Sequence, residues 1–598
     1  MCGICGIYNF SSQNIDSIKI IKKINNLQKN RGPDGNNLWQ SDCKKISLGH
    51  TRLSIIDLSN KADQPLMSRD RNFVITFNGE IYNYKEIREL LFKKNIRLNS
   101  KSDTEIILES YKLWGIKFLN HLRGMFSFAI YDRQKKQVIL ARDPFGIKPL
   151  YFTKKNNVFY FASQIKSLLS INGLSFEKSE KGITSYYLWG NVQEPLTLYK
   201  DIQSVKKGSI KIINENGIEE NYEYTNIKET ILNSKADYFK SENEAIEKLK
   251  ELILDTVKYH QVSDVPITLP LSAGIDSNVL LAAMNKDDKK KNLALTIDFD
   301  NNKKLNESVI AKKSASINNM KHSIKKINEN EVLELINEYY KKMDSPTNDG
   351  LNTFLLSYYA KEKKSKIIIS GIGADEFFFG YPSFKRIRVL NSFFNFFPIK
   401  FNGEKFLNFS LPIFKKLKLN TKFSGIFKYG STIEKAFFLQ RSLFLPKEIK
   451  EFLTPETFNN GLDELNILDQ LKEDIKNFDD ANLATMYLEN KYYLSSKILR
   501  DADWTSMAHS IECRTPFIDW FFFKDLLPIL KSNIKITKKS LVNCFKEKLP
   551  EALYTRKKTG FNIPYKKYYE NISNRKVSYS HPIKNWSKLN YEKYLTNE

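Results

Sequence analysis

Met1-Cys2-Gly3-Ile4-Cys5-Gly6-Ile7 places a thiol directly after the initiator methionine. Removal of Met1 leaves a nucleophile and a free amine on the same residue. An α-amino group titrates near ~8, against ~10.4 for a lysine ammonium, so it can serve as the base that a thiol needs near neutrality. The ordinary alternative is that Cys2 and Cys5 are small apolar residues entering a strand. The rest of the chain decides between these readings.

The chain has 598 residues, 41% hydrophobic and 13% aromatic, enough for more than one core. Two large domains are expected, over 2–215 and 240–598, with the polar stretch 215–240 as linker. No apolar run of membrane-spanning length occurs, and MCGICGIYNFSSQN lacks the basic-then-apolar pattern of a signal peptide. A cytoplasmic protein without stable membrane insertion is the expectation. The net charge of +26 comes from 94 Lys and Arg against 68 Asp and Glu. The excess is spread along the chain without a nucleic-acid-binding motif, so no nucleic-acid partner is expected. Five scattered cysteines fit a reducing compartment, and no second C-x-x-C or His pair completes a zinc site.

From Cys2 to about residue 165, short strands (GICGIYNF, KISLGHTRLSIIDL, NFVITFNGEIYNY, MFSFAIYDRQKKQVILARD) alternate with helices over Ser17–Leu27 and from Asp103 to about Trp114. Polar clusters fall where these elements start or stop: Arg31-Gly32-Pro33-Asp34-Gly35, His50-Thr51-Arg52-Leu53, Asn78-Gly79-Glu80 and Ser102-Asp103-Thr104. Singly, each reads as a turn, a cap or a surface ion pair. A near-terminal Cys followed by these four clusters in this order resembles the class II glutamine amidotransferase domain, an α+β N-terminal-nucleophile hydrolase with antiparallel sheets stacked between helices. The resemblance implies that Cys2 attacks the glutamine side-chain amide while Asn78 and Gly79 form the oxyanion hole. It further implies that Arg52 pairs with the substrate α-carboxylate and that Glu80 and Asp103 hold its α-amino group. Arg142 to Tyr151 continues the likeness, whereas Gln164 and the Ser204–Gly208 turn depart from it near the expected domain interface.

In the second half the alternation Val265, Ile267, Leu269, Leu271 reads as a strand running into Ser272-Ala273-Gly274-Ile275-Asp276-Ser277 and a helix. Such a small-residue loop aims backbone N–H groups and a helix dipole at an anion. Without the lysine of G-x-x-x-x-G-K-[ST] it is not a Walker A loop. It resembles the pyrophosphate loop of ATP pyrophosphatases, with Ala273 where a glycine is usual, which would narrow the space for phosphate. Further strands at Leu293–Phe299 and Lys366–Ser370 predict a mainly parallel α/β sheet with helical insertions. The third strand leads into Ser370-Gly371-Ile372-Gly373-Ala374-Asp375-Glu376. Later come Asp501, Asp503, Glu512 and Arg514, then Arg556 to Phe561.

This order resembles the synthetase half of glutamine-hydrolysing asparagine synthetases. The resemblance implies that ATP and Mg²⁺ activate a carboxylate as an acyl adenylate, which ammonia from the Cys2 site then amidates. Ser272, Gly274, Asp276, Ser277, Ser370 and Gly371 would hold the triphosphate, Asp276 would also hold Mg²⁺, and Asp375 and Glu376 would lie near the metal and the acyl group. Lys558 would stabilise phosphate charge. A homodimer is compatible with the family. Ile372 stands where relatives usually have Glu, and Asp344-Ser345-Pro346 where they have Asp-Glu-Pro. Aspartate is the first expectation for the acceptor; another carboxylate, such as a sugar uronic acid of surface polysaccharide, is the alternative. A non-catalytic nucleotide-binding homologue is the second alternative. The aromatic and basic stretch 384–445 reads as a buried helical insertion, with a membrane-surface or partner face as the competing reading.

Overall fold

The computed structural model describes all residues except 12–14, 300–306, 397–401, 556–562, 580 and 597–598. In chain order its strands are β1 (Gly3–Asn9), β2 (Gly35–Gln40), β3 (Ile46–Arg52), β4 (Leu66–Met67), β5 (Phe73–Ile81), β6 (Gly124–Asp132), β7 (Gln137–Arg142), β8 (Tyr151–Lys155), β9 (Val158–Ala162), β10 (Gln203–Ser204), β11 (Ser209–Ile213) and β12 (Glu219–Glu223) in the first half. The second half contributes β13 (Ile267–Pro270), β14 (Leu293–Phe299), β15 (Lys321–Ile327), β16 (Ile367–Ile369) and β17 (Glu512–Arg514).

The first twelve strands form two antiparallel sheets, in the orders β10-β8-β9-β1-β3-β2 and β12-β11-β7-β6-β5-β4. β1 is interior to its sheet and every residue in it is buried. Its alternation explains why. Ile4 and Tyr8 face the other sheet, packing with Ile46, Leu48, Val74 and Leu140. Cys5 and Ile7 face the opposite way, toward Ile21 and Ile24 of the helix Ser17–Leu27. Cys5 is thus a packed core residue, its Sγ 3.4 Å from Asn25 Oδ1. The polar stretch expected as linker is a strand in its first part: β12 pairs with β11 from Glu219 to Glu223. Its charged side chains are tolerated because it is a solvent-facing edge strand, mostly exposed.

The second half holds a five-stranded, wholly parallel sheet in the order β15-β14-β13-β16-β17. β15 and β17 were not anticipated as strands. β15, KHSIKKI, is a half-polar edge strand, and β17 is three residues long, too short for a period-2 pattern. Connections leave β13 toward β14 on one side and β16 lies on the other, so the sheet's topological switch point falls between the carboxyl ends of β13 and β16. That is where the Ser272 and Ser370 loops emerge.

The two halves meet through buried ion pairs. Arg31 clasps Asp503 at 2.8 and 3.2 Å, Arg123 meets Asp519 at 2.7 Å, and Arg514 meets Glu80 at 3.2 Å. The two departures noted in the sequence lie in this contact. Lys207 Nζ donates to Ser495 Oγ at 2.7 Å, and the helix that Gln164 precedes is capped by Asp344 from the other half.

Candidate active site

Two pockets contain most of the residues singled out above. The first is walled by Met1, Cys2, Arg52, Gly79, Glu80 and Asp103, with Leu53, Gln64 and Phe77 around them. It is small, about 30 Å³, with the buried Met1 side chain forming part of its wall. Cys2 precedes β1, and its backbone N–H donates to Asn78 Oδ1 at 3.1 Å. Gly79 follows in β5, where a Cβ would stand 2.2 Å from the Met125 carbonyl of β6, so only glycine fits this pairing.

Arg52 is buried and oriented by Asp63 (2.8 Å), the Ser59 carbonyl (2.9 Å) and the Asp57 carbonyl. Ser102 caps the helix Asp103–Trp114, which frees the Asp103 carboxylate to accept from the Ile81 N–H at 3.0 Å. Burial pushes Asp103 up to about 6. Glu80 is raised well above the usual range by burial and by the neighbouring Asp103. One Glu80 oxygen meets Arg514; the other, Oε1, is buried with no hydrogen-bond partner among the described residues. Burial also raises the Cys2 thiol, opposed by the N-terminal charge, the Leu53 N–H and Arg52. His50, part of the same sequence cluster, is a core residue whose ring faces the Phe77 carbonyl and which burial holds neutral, down to about 3.

The second pocket, about 340 Å³, sits at the switch point. Ser272, Gly274, Asp276 and Ser277 line it from β13, and Ser370, Gly371, Asp375 and Glu376 from β16. The loop is held by its own polar groups: Gly274 N–H donates to Ser272 Oγ at 3.1 Å, and Asn278 Nδ2 reaches the Ser272 and Gly274 carbonyls at 2.9 and 2.6 Å. Ala273 is buried and is absent from the lining, so its methyl does not narrow the cavity as expected. Gly371 must be glycine for the two loops to approach, since a Cβ there would meet the Asp276 Cβ at 2.5 Å.

Lys538 was not singled out in the sequence. It projects between the loops, its Nζ 2.7 Å from Asp276 and also bonded to Asp375. Burial opposes its charge, but the two aspartates raise it above the ordinary lysine range. In sequence it is one lysine among many, in ITKKS, with no motif to mark it. Asp349, Gly350, Asn352 and Thr353 also line the pocket; they were visible only as a divergent run. Glu376, bonded by Tyr381 at 2.8 Å, is raised to about 7 by burial and by Asp375. Lys558 and the rest of its motif lie outside the described residues.

The later charged residues divide. Asp501 lines the second pocket, bonded by Thr347 at 2.6 Å. Asp503, Glu512 and Arg514 instead belong to the contact between halves: Glu512 meets the Met1 amine at 3.1 Å and Arg514 at 2.5 Å. Asp344 and Ser345 do not line the cavity; Asp344 accepts from the Ile165 and Lys166 N–H groups at 3.1 and 3.0 Å. Ile372 does line it. The two pockets are mechanically joined. Arg31 donates to the Cys2 carbonyl at 3.0 Å while holding Asp503, the residue after Ala502, which lines the second pocket.

The oxygen donors Asp276 and Asp375 suit a hard divalent cation such as Mg²⁺, which typically takes one or two carboxylates and completes its shell with phosphates and water. No group of three or more His, Cys, Asp or Glu that could hold a metal by itself occurs among the described residues. No helix among them is long and apolar enough to cross a membrane.

Residues 1–225 match the glutamine amidotransferase domain family and residues 248–586 the asparagine synthase family. The chain is 30% identical to asparagine synthetase [glutamine-hydrolyzing] 1 of Bacillus subtilis, covering 96% of this chain and 89% of the relative. It is also 30% identical to amidase chry2 of Gibberella zeae, over 64% of this chain and 60% of that protein. Among solved structures, glutamine phosphoribosylpyrophosphate amidotransferase from B. subtilis is similar over 45% of this chain and 61% of that one, at 18% identity and a TM-score of 0.30.

Proposed function

As the chain belongs to the asparagine synthase family, an enzyme family that couples a glutamine amidotransferase domain to an ATP-using synthetase, we propose that it makes asparagine from aspartate, ATP and glutamine. In this reading Met1 is removed and the freed Cys2 amine takes the thiol proton. The Cys2 sulfur adds to the glutamine carboxamide carbon, and the Asn78 side chain and Gly79 N–H stabilise the resulting oxyanion. Ammonia leaves, and water hydrolyses the thioester to glutamate.

The observation that carries the glutamine assignment is the pair Glu80 and Asp103. Two buried carboxylates, both raised and one with an oxygen that has no hydrogen-bond partner among the described residues, line one small pocket together with Arg52. An incoming ammonium between them relieves their mutual repulsion while Arg52 takes the α-carboxylate. At the second site a carboxylate oxygen attacks the α-phosphorus of ATP and pyrophosphate leaves. Ammonia then attacks the acyl carbon and AMP leaves. Ser272, Gly274, Ser277, Ser370 and Gly371 would hold the phosphates, with Asp276 and Asp375 as the Mg²⁺ carboxylates and Lys538 between them. When bound, the cation would neutralise phosphate charge. Lys558 keeps the phosphate-stabilising role that the resemblance implies.

Asp349 and Asp501 in the same cavity supply anions for an amino group, which supports an amino-acid acceptor. Ile372 favours the second reading, a carboxylate without an amino group such as a sugar uronic acid, because an apolar side chain replaces an ammonium partner there. Pyrophosphate release with ammonia, ATP and a panel of carboxylates separates the two. Aspartate should trigger release above every other acceptor; a uronic acid doing so instead would replace it, and silence with all acceptors would leave the non-catalytic reading. The Cys2→Ala enzyme should lose glutamine-driven amidation but keep the ammonia-driven reaction.

A further inference from the structure

The stretch expected as a buried insertion is helical but only half buried. The helices Pro382–Phe396 and Gly403–Lys416 pack on the synthetase half through one face. In the second of them Leu407, Ser410 and Leu411 are buried. Its opposite face carries Phe409, Ile413 and, at its end, Leu417, spaced i, i+4, i+8 and 74%, 41% and 61% exposed. That is an apolar stripe turned to solvent, the reverse of a surface helix. Exposed Lys405 and Lys416 lie on the same side.

The insertion also borders a cavity of about 700 Å³, lined by Lys385, Arg386, Lys422, His581 and Lys584 and, among the described residues, by no acidic one. Val389 and Phe423, 55% and 59% exposed, frame it. Lys584 is neutralised by Glu448 at 2.7 Å. Lys422 donates to the Gln440 carbonyl, and burial together with Lys584 and Arg441 pushes it down to about 7. Burial lowers His581 as well, so the charge that this lining offers an anion is that of the exposed Lys385 and Arg386, next to the apolar Val389 and Phe423.

We propose that this insertion docks on a membrane surface, Lys385 and Arg386 of the cavity lining receiving the phosphate headgroup of an anionic phospholipid and Phe409, Ile413, Leu417 and Phe423 entering the interface. Headgroup-level cations next to an exposed aromatic and aliphatic stripe form the combination that binds anionic bilayers peripherally. A second copy of the chain is the poorer occupant. A two-fold contact would set Lys385 and Arg386 against their own copies, and like charges across an interface oppose association. The inference is independent of which carboxylate the enzyme amidates.

The test is co-sedimentation of the full chain with vesicles of phosphatidylcholine alone and of phosphatidylcholine mixed with phosphatidylglycerol. Binding should be confined to the anionic vesicles and weaken as salt rises. Lys385→Glu with Arg386→Glu should lower the partition constant roughly tenfold or more, and Phe409→Ser with Leu417→Ser should lower it comparably. Glutaminase activity unchanged in both variants would show that the fold is kept. The wild-type comparison between the two vesicle types stands even if a variant misfolds. Absence of binding to anionic vesicles, equal binding to neutral ones, or binding untouched by both folded variants would overturn the proposal. So would a dimer in sedimentation velocity that Phe409→Ser with Leu417→Ser dissolves.

Discussion

Arg514→Met tests the contact between the two halves most directly. The guanidinium is fully buried and makes four bonds: Glu512 at 2.5 Å, the His260 and Val262 carbonyls at 2.9 and 2.6 Å, and Glu80 at 3.2 Å. Methionine keeps most of the stem and removes the charge, leaving two buried carboxylates facing the gap. Removing one member of a buried ion pair costs about 3–5 kcal/mol. The lower end applies here, because Glu80, whose carboxyl burial already raises, can take up a proton. For domains of this size, ~3 kcal/mol corresponds to a fall of roughly 6–12 °C in Tm. The expected functional split is sharper. The Arg514 main-chain carbonyl, which accepts from Ser370 N–H at 2.8 Å, survives the substitution, so ammonia-dependent amidation should persist. Glutamine use should suffer, since Glu80 loses the guanidinium that orients one of its oxygens and favours its charged form. Differential scanning fluorimetry with parallel glutamine and ammonia assays measures both. Adding Glu512→Gln should recover part of the lost stability, because it removes the carboxylate left behind. A Tm within about 2 °C of the parent, or a double variant whose losses simply add, would refute the argument.

Asp103→Asn should have opposite effects on stability and on glutamine use. Burial raises the carboxyl to about 6, so its contribution to stability is fully present below its unfolded value near 4 and is lost as pH rises through about 6. The asparagine variant should therefore be more stable at pH 8 by up to about 3 kcal/mol in chemical denaturation. The kcat/KM for glutamine should rise through an acid limb near pH 6 in the parent and lose that limb in the variant; an unchanged limb would assign it elsewhere. Asn78→Ala should lower glutaminase kcat by about 10²–10³ at nearly constant KM, a transition-state effect that steady-state kinetics resolves. Lys538→Met should spare glutamine hydrolysis and cut pyrophosphate release about 10–100-fold, the loss expected for one charged hydrogen-bonding group of ~1.5–3 kcal/mol. Retained pyrophosphate release would mean that Lys538 only steadies the apo loops.

Sequence alone determined what depends on local chemistry. The order of Cys2, Arg52, Asn78-Gly79-Glu80 and Asp103, followed by the Ser272–Ser277 and Ser370–Glu376 loops, identified both halves through its resemblance to known families, a comparison that needs only the order of residues along the chain. Helix Ser17–Leu27 and strand Leu293–Phe299 were legible because their apolar spacing matches one period. The tertiary structure decided whatever depends on residues far apart in the chain. Only packing shows that Lys538 comes between Asp276 and Asp375, that Asp503, Glu512 and Arg514 serve the contact between halves, and that Asp344 caps a helix of the other domain. A charged residue carries no local mark of its partner, because a buried ion pair is specified by the meeting of two surfaces. The same holds for the insertion. Its aromatic content was plain in the sequence, but which face of Gly403–Lys416 is covered was settled only by what packs against Leu407 and Leu411 and leaves Phe409 and Ile413 to solvent.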